Sequence, residues 1–320
     1  MRRLAVLLLA LLLVGSAAAE AQRTALPRSR LAVHAGAATR PERADGWRTW
    51  WRSDSAPARW TAARASVASQ VRWRAASPGV EWGELALRGS GEAWRLRVVL
   101  VRIDPRVVRL RLHAVESEAL FDGRWTVDSA PATAALALNA GQFRYGVPWG
   151  WVVMDGEEEL EPRRGPLAMA LAIDSSGATH WLDDGAIDSA RAALRPEVAF
   201  QSYPALLVRD GEVPAPLRAP GWPIDLAHRD ARLAIGELRD GRLLVALTRF
   251  DAAGARLGFV PFGPTVPEMA AIMGALGCRT AMLLDGGISS QLLLRERSGA
   301  IHKWRGIRGV PMGIIATPRE

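Results

Sequence analysis

The chain has 320 residues, 49% of them hydrophobic, with 41 Lys and Arg against 33 Asp and Glu and a formal net charge of +8. That apolar content suffices for a real core and argues against disorder. The basic residues, all arginine except Lys303, are scattered rather than gathered on one face, which argues against nucleic-acid binding and leaves a general attraction for acidic envelope components.

Residues 1–21 read as a secretory signal: Arg2 and Arg3 precede an apolar run from Leu4 to Val14, and Gly15, Ser16 and Ala17 to Ala19 supply a small-residue cleavage region. The run is shorter than the roughly 20 residues a membrane span needs. The mature chain is therefore expected to be periplasmic or secreted, with no stable transmembrane segment after cleavage; a retained N-terminal anchor is the alternative. Residues 22–77 are rich in Ala, Arg, Ser and Pro without a sustained period, and Trp47, Trp50, Trp51 and Trp60 interrupt them. They are expected to form a linker or loosely packed segment ahead of a domain spanning 78–320, with the tryptophans tucked onto the core rather than forming a glycan-binding surface.

Strands begin after Pro78-Gly79. Val80 to Arg88 and Trp94 to Ile103 flank the turn Gly89-Ser90-Gly91, with Trp94, Leu96, Val98 and Leu100 on one face. Asp104-Pro105 then turns the chain into Val108, Leu110 and Leu112, which alternate with Arg109, Arg111 and His113, so an antiparallel meander with one wet face is expected. Ala134 to Leu138 is a short apolar strand ending at Asn139-Ala140-Gly141, and Trp149 to Met154 is another. Ala168 to Asp174 and Ala178 to Leu182 form a hairpin around Ser175-Ser176-Gly177. His180 reads as a strand residue, since no second His lies at ligand spacing. Gln201-Ser202 leads into Ala205 to Val208. After a proline-rich loop, Arg232 to Gly236 and Leu243 to Thr248 flank Asp240-Gly241, a strong hairpin signal.

Thr265 to Gln291 carries the most information. Thr265 with Glu268 is a capping box, Met269, Ile272, Met273 and Leu276 make one apolar helical face, and Gly277 stops the helix. Thr280 to Leu284 is a strand covered on both faces, and it delivers Asp285 to a glycine-rich loop with Ser289 and Ser290. Cys278, at the junction, is the one cysteine, so no intrachain disulfide forms and the thiol reads as a small buried hydrophobe. Many strands and few helices, without a nucleotide-type βαβ repeat, give an α+β fold on a mixed or antiparallel sheet.

The order of Asn139-Ala140-Gly141, Gln201-Ser202, Arg232 to Gly236, Pro267 to Ala270 and Leu284 to Gly287 resembles the phosphodiester glycosidase family, over roughly Pro78 to Pro318. The chain departs from that pattern at Ala140 and Ile288, where members often carry glycine. The resemblance implies hydrolysis of a sugar 1-phosphodiester, with a sugar-phosphate or cell-envelope glycan as substrate and no cofactor. Arg232 would grip the phosphate with two parallel N–H donors, and Asp285 would stabilise or attack the anomeric centre. Asn139, Gly141, Gln201, Ser202 and Ser289 would contact substrate, with Gly286 and Gly287 amides as an anion nest. Because a phosphate monoester with a second pKa of about 6 leaves easily, one carboxylate can suffice. Glu237 is a candidate second carboxyl, its alternative being a solvated strand residue.

Two other classes stay open. A non-catalytic binder of anionic glycans would keep the arginine and amides. A metal-assisted phosphoesterase would use Asp285 and Asn139 as oxygen ligands for a divalent cation.

Overall fold

The computed structural model describes residues 28–34, 46–222, 224–252 and 257–319, so the signal expected at 1–21 lies outside the described residues. In chain order the first strands are β1 (Arg30–His34), β2 (Trp47–Arg52), β3 (Arg74–Ser77), β4 (Val80–Arg88), β5 (Leu96–Ile103), β6 (Val108–Ala114) and β7 (Leu136–Asn139). There follow β8 (Phe143–Arg144), β9 (Val147–Pro148), β10 (Val152–Met154), β11 (Glu157–Leu160), β12 (Met169–Ile173), β13 (Thr179–Asp183), β14 (Val198–Ser202) and β15 (Ala205–Leu207). The last are β16 (Leu233–Leu238), β17 (Leu243–Phe250), β18 (Cys278–Leu284), β19 (Leu292–Arg295), β20 (Ile301–Trp304) and β21 (Met312–Pro318).

A nine-stranded sheet runs β15-β18-β16-β17-β5-β4-β1-β2 with β3 on β4, and two five-stranded sheets run β11-β10-β14-β12-β13 and β20-β19-β7-β21-β6. The pairings within the large sheet are antiparallel, including the Asp240-Gly241 hairpin of β16 and β17. Apolar side chains alternate to two cores. Leu96, Val98 and Leu100 of β5 face the helix Val266–Ala275, while Val99, Val101 and Ile103 of the same strand face the two smaller sheets. The architecture is α+β with few helices, as the sequence pattern implies.

Three expectations change. The meander does not continue past Asp104-Pro105: β6 leaves the large sheet and pairs with β21, and β5 is buried on both faces rather than one. The wet face survives on β6, where Arg109 pairs with Glu197, and along part of β4, where Glu84, Ala86 and Arg88 alternate with buried residues. Residues 22–77, where described, are not loosely packed: β1 pairs with β4, and Leu31, Val33, Trp50, Trp51, Trp60 and Val67 are buried. The helix Val266–Ala275 is accordingly buried nearly all round rather than on one face. Trp60 lies so close to it that a Cβ on Gly274 would stand 2.3 Å from the indole.

The capping box forms as expected, with Thr265 N–H donating to Glu268 Oε2 at 2.9 Å and Glu268 N–H to Thr265 Oγ1 at 3.3 Å. Arg229 adds two bonds to the buried Glu268 carboxylate, at 2.7 and 2.9 Å, and so ties the loop before β16 to the helix. Cys278 is buried, and that burial pushes its thiol pKa up. Among the described residues no helix is long and apolar enough to cross a membrane.

Candidate active site

Register brings matching ends of two sheets together. Leu233 pairs with Leu247 and with Leu284, so the start of β16, the end of β17 and the end of β18 lie side by side. In the second sheet Leu138 pairs with Leu292 and Asn139 with Gly313, which sets the end of β7 beside the starts of β19 and β21. Hydrogen bonds close the seam between these ends. Asp285 N–H donates to Gly141 O at 2.5 Å, Asn139 Nδ2 to Asp285 O at 2.8 Å, and Gln142 Nε2 to Leu284 O at 3.0 Å.

The turn after Asp285 is gripped from two sides. Gly287 N–H donates to Ala231 O at 2.7 Å, and a Cβ on Gly287, whose φ is +59°, would stand 2.7 Å from Asp230 Oδ2. Only glycine accepts both that backbone and that approach. On the far side Ile307 and Arg308 N–H donate to Ile288 O at 2.7 and 3.1 Å. Arg249 Nη2 donates to the carbonyls of Ser290, Trp304 and Arg305, joining the same two loops from beneath. Three loops, 228–232, 285–290 and 304–308, thus meet at one mouth.

Its charges are unevenly matched. Burial pushes the Asp285 carboxyl pKa up to about 6, opposed by the nearby Ser289 hydroxyl, the positive Arg308 and the Gly286 N–H; the Asp230 carboxylate pushes it further up. Asp230 is also raised, again chiefly by burial, with Arg232 and His228 opposing. His228 Nε2 stands 3.6 Å from Asp230 Oδ2. Two carboxyl groups therefore share a partly dry pocket, each with its own cationic neighbour.

Of the residues expected at the site, Asp285, Gly286, Gly287, Ser289, Asn139 and Gly141 do meet there, with Arg232 alongside. Several play different parts. Asn139 is 0% exposed, and its Oδ1 accepts from Gln291 N at 2.9 Å while its Nδ2 holds Asp285 O. It braces the loop and offers no oxygen to a sugar or a metal ion. Gln201, 1% exposed, accepts from Trp151 and Arg163 N–H and donates to Arg163 O. Ser202 Oγ donates to Leu283 O at 2.5 Å. The expected nest loses one of its two amides, because Gly287 N–H is bonded to Ala231 O.

Arg232 is largely buried, which lowers its pKa, and its Nε and Nη2 donate to Pro264 O at 3.1 Å and His228 O at 2.8 Å. The Nε and Nη2 side of the fork expected to grip phosphate is thus taken up by two carbonyls. Glu237 is neither solvated nor at the site: it is 5% exposed, accepts from Arg279 Nε at 2.7 Å, and lies five residues along β16 from Arg232, ~17 Å at strand rise. Among the described residues no three His, Cys, Asp or Glu side chains converge as metal ligands do.

Sequence reasoning missed Asp230 and Arg308. Asp230 is one charge among Arg229, Asp230 and Arg232, and Arg308 is one of many scattered arginines, so neither stands out by spacing. A cavity of about 280 Å³ beside Trp51, Trp60 and Ala270 is separate from this mouth and holds neither carboxylate.

Residues 132–317 match the sequence profile of the phosphodiester glycosidase family. No curated relative matches the chain in sequence. In fold the chain is similar to the catalytic domain of zebrafish N-acetylglucosamine-1-phosphodiester alpha-N-acetylglucosaminidase, auto-inhibited by pro-peptide. The TM-score is 0.56 at 17% identity, over 78% of this chain and 89% of that one. A hypothetical protein from Synechocystis is similar at a TM-score of 0.53 and 16% identity, over 77% of this chain and 64% of that one.

Proposed function

The chain belongs to the phosphodiester glycosidase family, and we propose that it is an exported hydrolase that cleaves the glycosidic bond of a sugar 1-phosphodiester. The single observation that carries this reading is Asp285, a carboxyl group raised to about 6 at the seam of two sheets and faced by Arg308. Breaking the bond between C1 and oxygen develops positive charge on the sugar ring, and a carboxylate at Asp285 stabilises or captures it. The departing group is a phosphate monoester, which needs little protonation at neutral pH.

Arg308 is the better phosphate holder in this reading. It is exposed and bears on Asp285, whereas the Arg232 fork is engaged by two carbonyls. Arg232 keeps its charge behind Asp230 and holds the loop. Export rests on the signal-like sequence of residues 1–21.

Hydrolysis of a panel of sugar 1-phosphodiesters by the mature protein tests the reading, with Asp285→Asn and Arg308→Ala beside it and a chelator arm. Turnover of one sugar, abolished by Asp285→Asn and indifferent to chelator, is the expected result. Binding of a panel member without turnover would replace the hydrolase by a non-catalytic binder of anionic glycans.

A further inference from the structure

One carboxyl group suffices for a phosphate leaving group, yet the site holds two. Asp230 lies against the turn that begins at Asp285: its Oδ2 and Oδ1 stand 2.7 and 3.1 Å from where a Gly287 Cβ would be. Its own loop uses only part of it. Ala231 N–H donates to Oδ1 at 2.9 Å, and among the described residues Oδ2 keeps no closer polar partner than His228 Nε2 at 3.6 Å. A carboxylate serving only as a loop cap has no need to be half-buried against a second one, an arrangement that opposes its ionisation.

The groups facing Asp230 come from each loop around it. They are His228 and Arg232 from its own loop and Asp285 from the next, with Arg308 acting on Asp285, and Asp225 and Glu268 acting on Arg232. Arg229 is turned away to Glu268. An ionised Asp230 disfavours the ionised form of Asp285 across this turn. Burial raises both members, so the pair retains a proton to higher pH than free carboxylates.

Building on the glycosidase reading of this site, we infer that Asp230 is a second catalytic carboxyl, paired with Asp285, and that the pair extends the activity to glycosides with alcohol leaving groups. In the step, the electron pair of the C1–O bond goes to the leaving oxygen, and the protonated member of the pair delivers its proton to that oxygen. The ionised member faces the positive charge at C1. Water then forms the new C1–O bond, and its proton returns to the pair. One water enters, a free sugar and an alcohol leave, and the pair again holds one proton.

The experiment compares wild type and Asp230→Asn on two sets of compounds: methyl phosphodiesters at C1 of glucose, galactose, mannose and N-acetylglucosamine, and the 4-nitrophenyl and methyl glycosides of the same sugars in both anomers. The asparagine keeps the oxygen that caps Ala231 N–H, and a thermal melt checks that it folds. Wild type is expected to cleave both sets for at least one sugar with a bell-shaped pH dependence. Asp230→Asn should lose one limb of that bell and on the order of 10²–10⁴-fold in rate on the methyl glycoside. Cleavage of phosphodiesters without any cleavage of uncharged glycosides would overturn the inference and leave the hydrolase standing, as would unchanged rates and both limbs retained in Asp230→Asn. No cleavage of either set would overturn both readings together.

Discussion

Two groups of polar residues sit within a few residues of the same strand ends and meet opposite fates. Asn139, Gln201 and Ser202 are buried, with their polar atoms committed to main-chain partners. Asp230, Asp285 and Arg308 stand at the mouth, with charge left over after their local bonds are counted. The first group sets the shape of the second: Asn139 fixes the main chain of Asp285 itself. A polar residue next to a glycine at a strand end therefore marks the site without saying whether it is a brace or a reagent. Only the position of each donor and acceptor separates them, because a buried amide that already has its partners has nothing to offer a ligand.

The sharpest way to break this comparison is Asp285→Asn. Turnover should fall roughly 10³-fold, within the range lost when a catalytic acid or base is removed. Stability should move the other way. The folded-state pKa of Asp285 is raised to about 6 from 3.8, so its contribution to stability is fully present below the unfolded value and lost as pH rises through the folded one. At pH 7.5 the wild type thus carries an unfavourable buried charge that asparagine lacks, worth on the order of 3 kcal/mol. Thermal unfolding should show the variant more stable at pH 7.5 and equal to wild type near pH 3. A variant less stable at both would mean that Asp285 is a brace after all.

Asn139→Ala is the converse. It strands the Asp285 carbonyl and the Gln291 N–H in a dry interior, a loss of about 2–6 kcal/mol at about 1–3 per group. Asn139→Asp should not restore it, since a carboxylate cannot donate to Asp285 O. Denaturant unfolding gives the loss directly. Full stability with a raised KM would instead make Asn139 a substrate ligand.

Arg308→Ala should leave the fold unchanged and raise KM for a phosphodiester roughly 10–100-fold, as expected for a lost charge-assisted bond of about 1.5–3 kcal/mol. Because the residue is exposed, the wild-type KM should also rise with salt. Arg232→Ala should behave differently, lowering stability through the two carbonyls it holds. If the two variants exchange these signatures, the phosphate is held by Arg232.

What could be read without the structure was local. The Thr265 and Glu268 capping box, the Asp240-Gly241 hairpin and the strand delivering Asp285 each depend on residues within a few positions of one another. What could not be read was long-range. Nothing at Asp104-Pro105 announces that β6 pairs with β21 some 200 residues later, and no period in residues 30–34 betrays their place beside β4. Asn139 and Gln201 were legible as important and illegible as braces, since their partners, Gln291 and Arg163, are chosen by the fold. Asp230 and Arg308 carry no sequence signal beyond their charge, and in so arginine-rich a chain charge alone singles out nothing.

The smallest effect is expected at Ile288, where the chain carries a β-branched residue inside the Asp-Gly-Gly turn. Its side chain is 43% exposed, but its carbonyl accepts from both Ile307 and Arg308 N–H, so its main chain positions the phosphate-holding arginine proposed above. Glycine at this position frees the backbone at a cost of about 0.5–1 kcal/mol, which becomes a two- to five-fold rise in KM with kcat unchanged. Serine keeps the backbone restriction and removes the apolar surface, so Ile288→Ser should leave KM within two-fold of wild type. Should serine instead match glycine, the isoleucine side chain itself touches substrate, and the boundary between brace and reagent runs through this residue rather than around it.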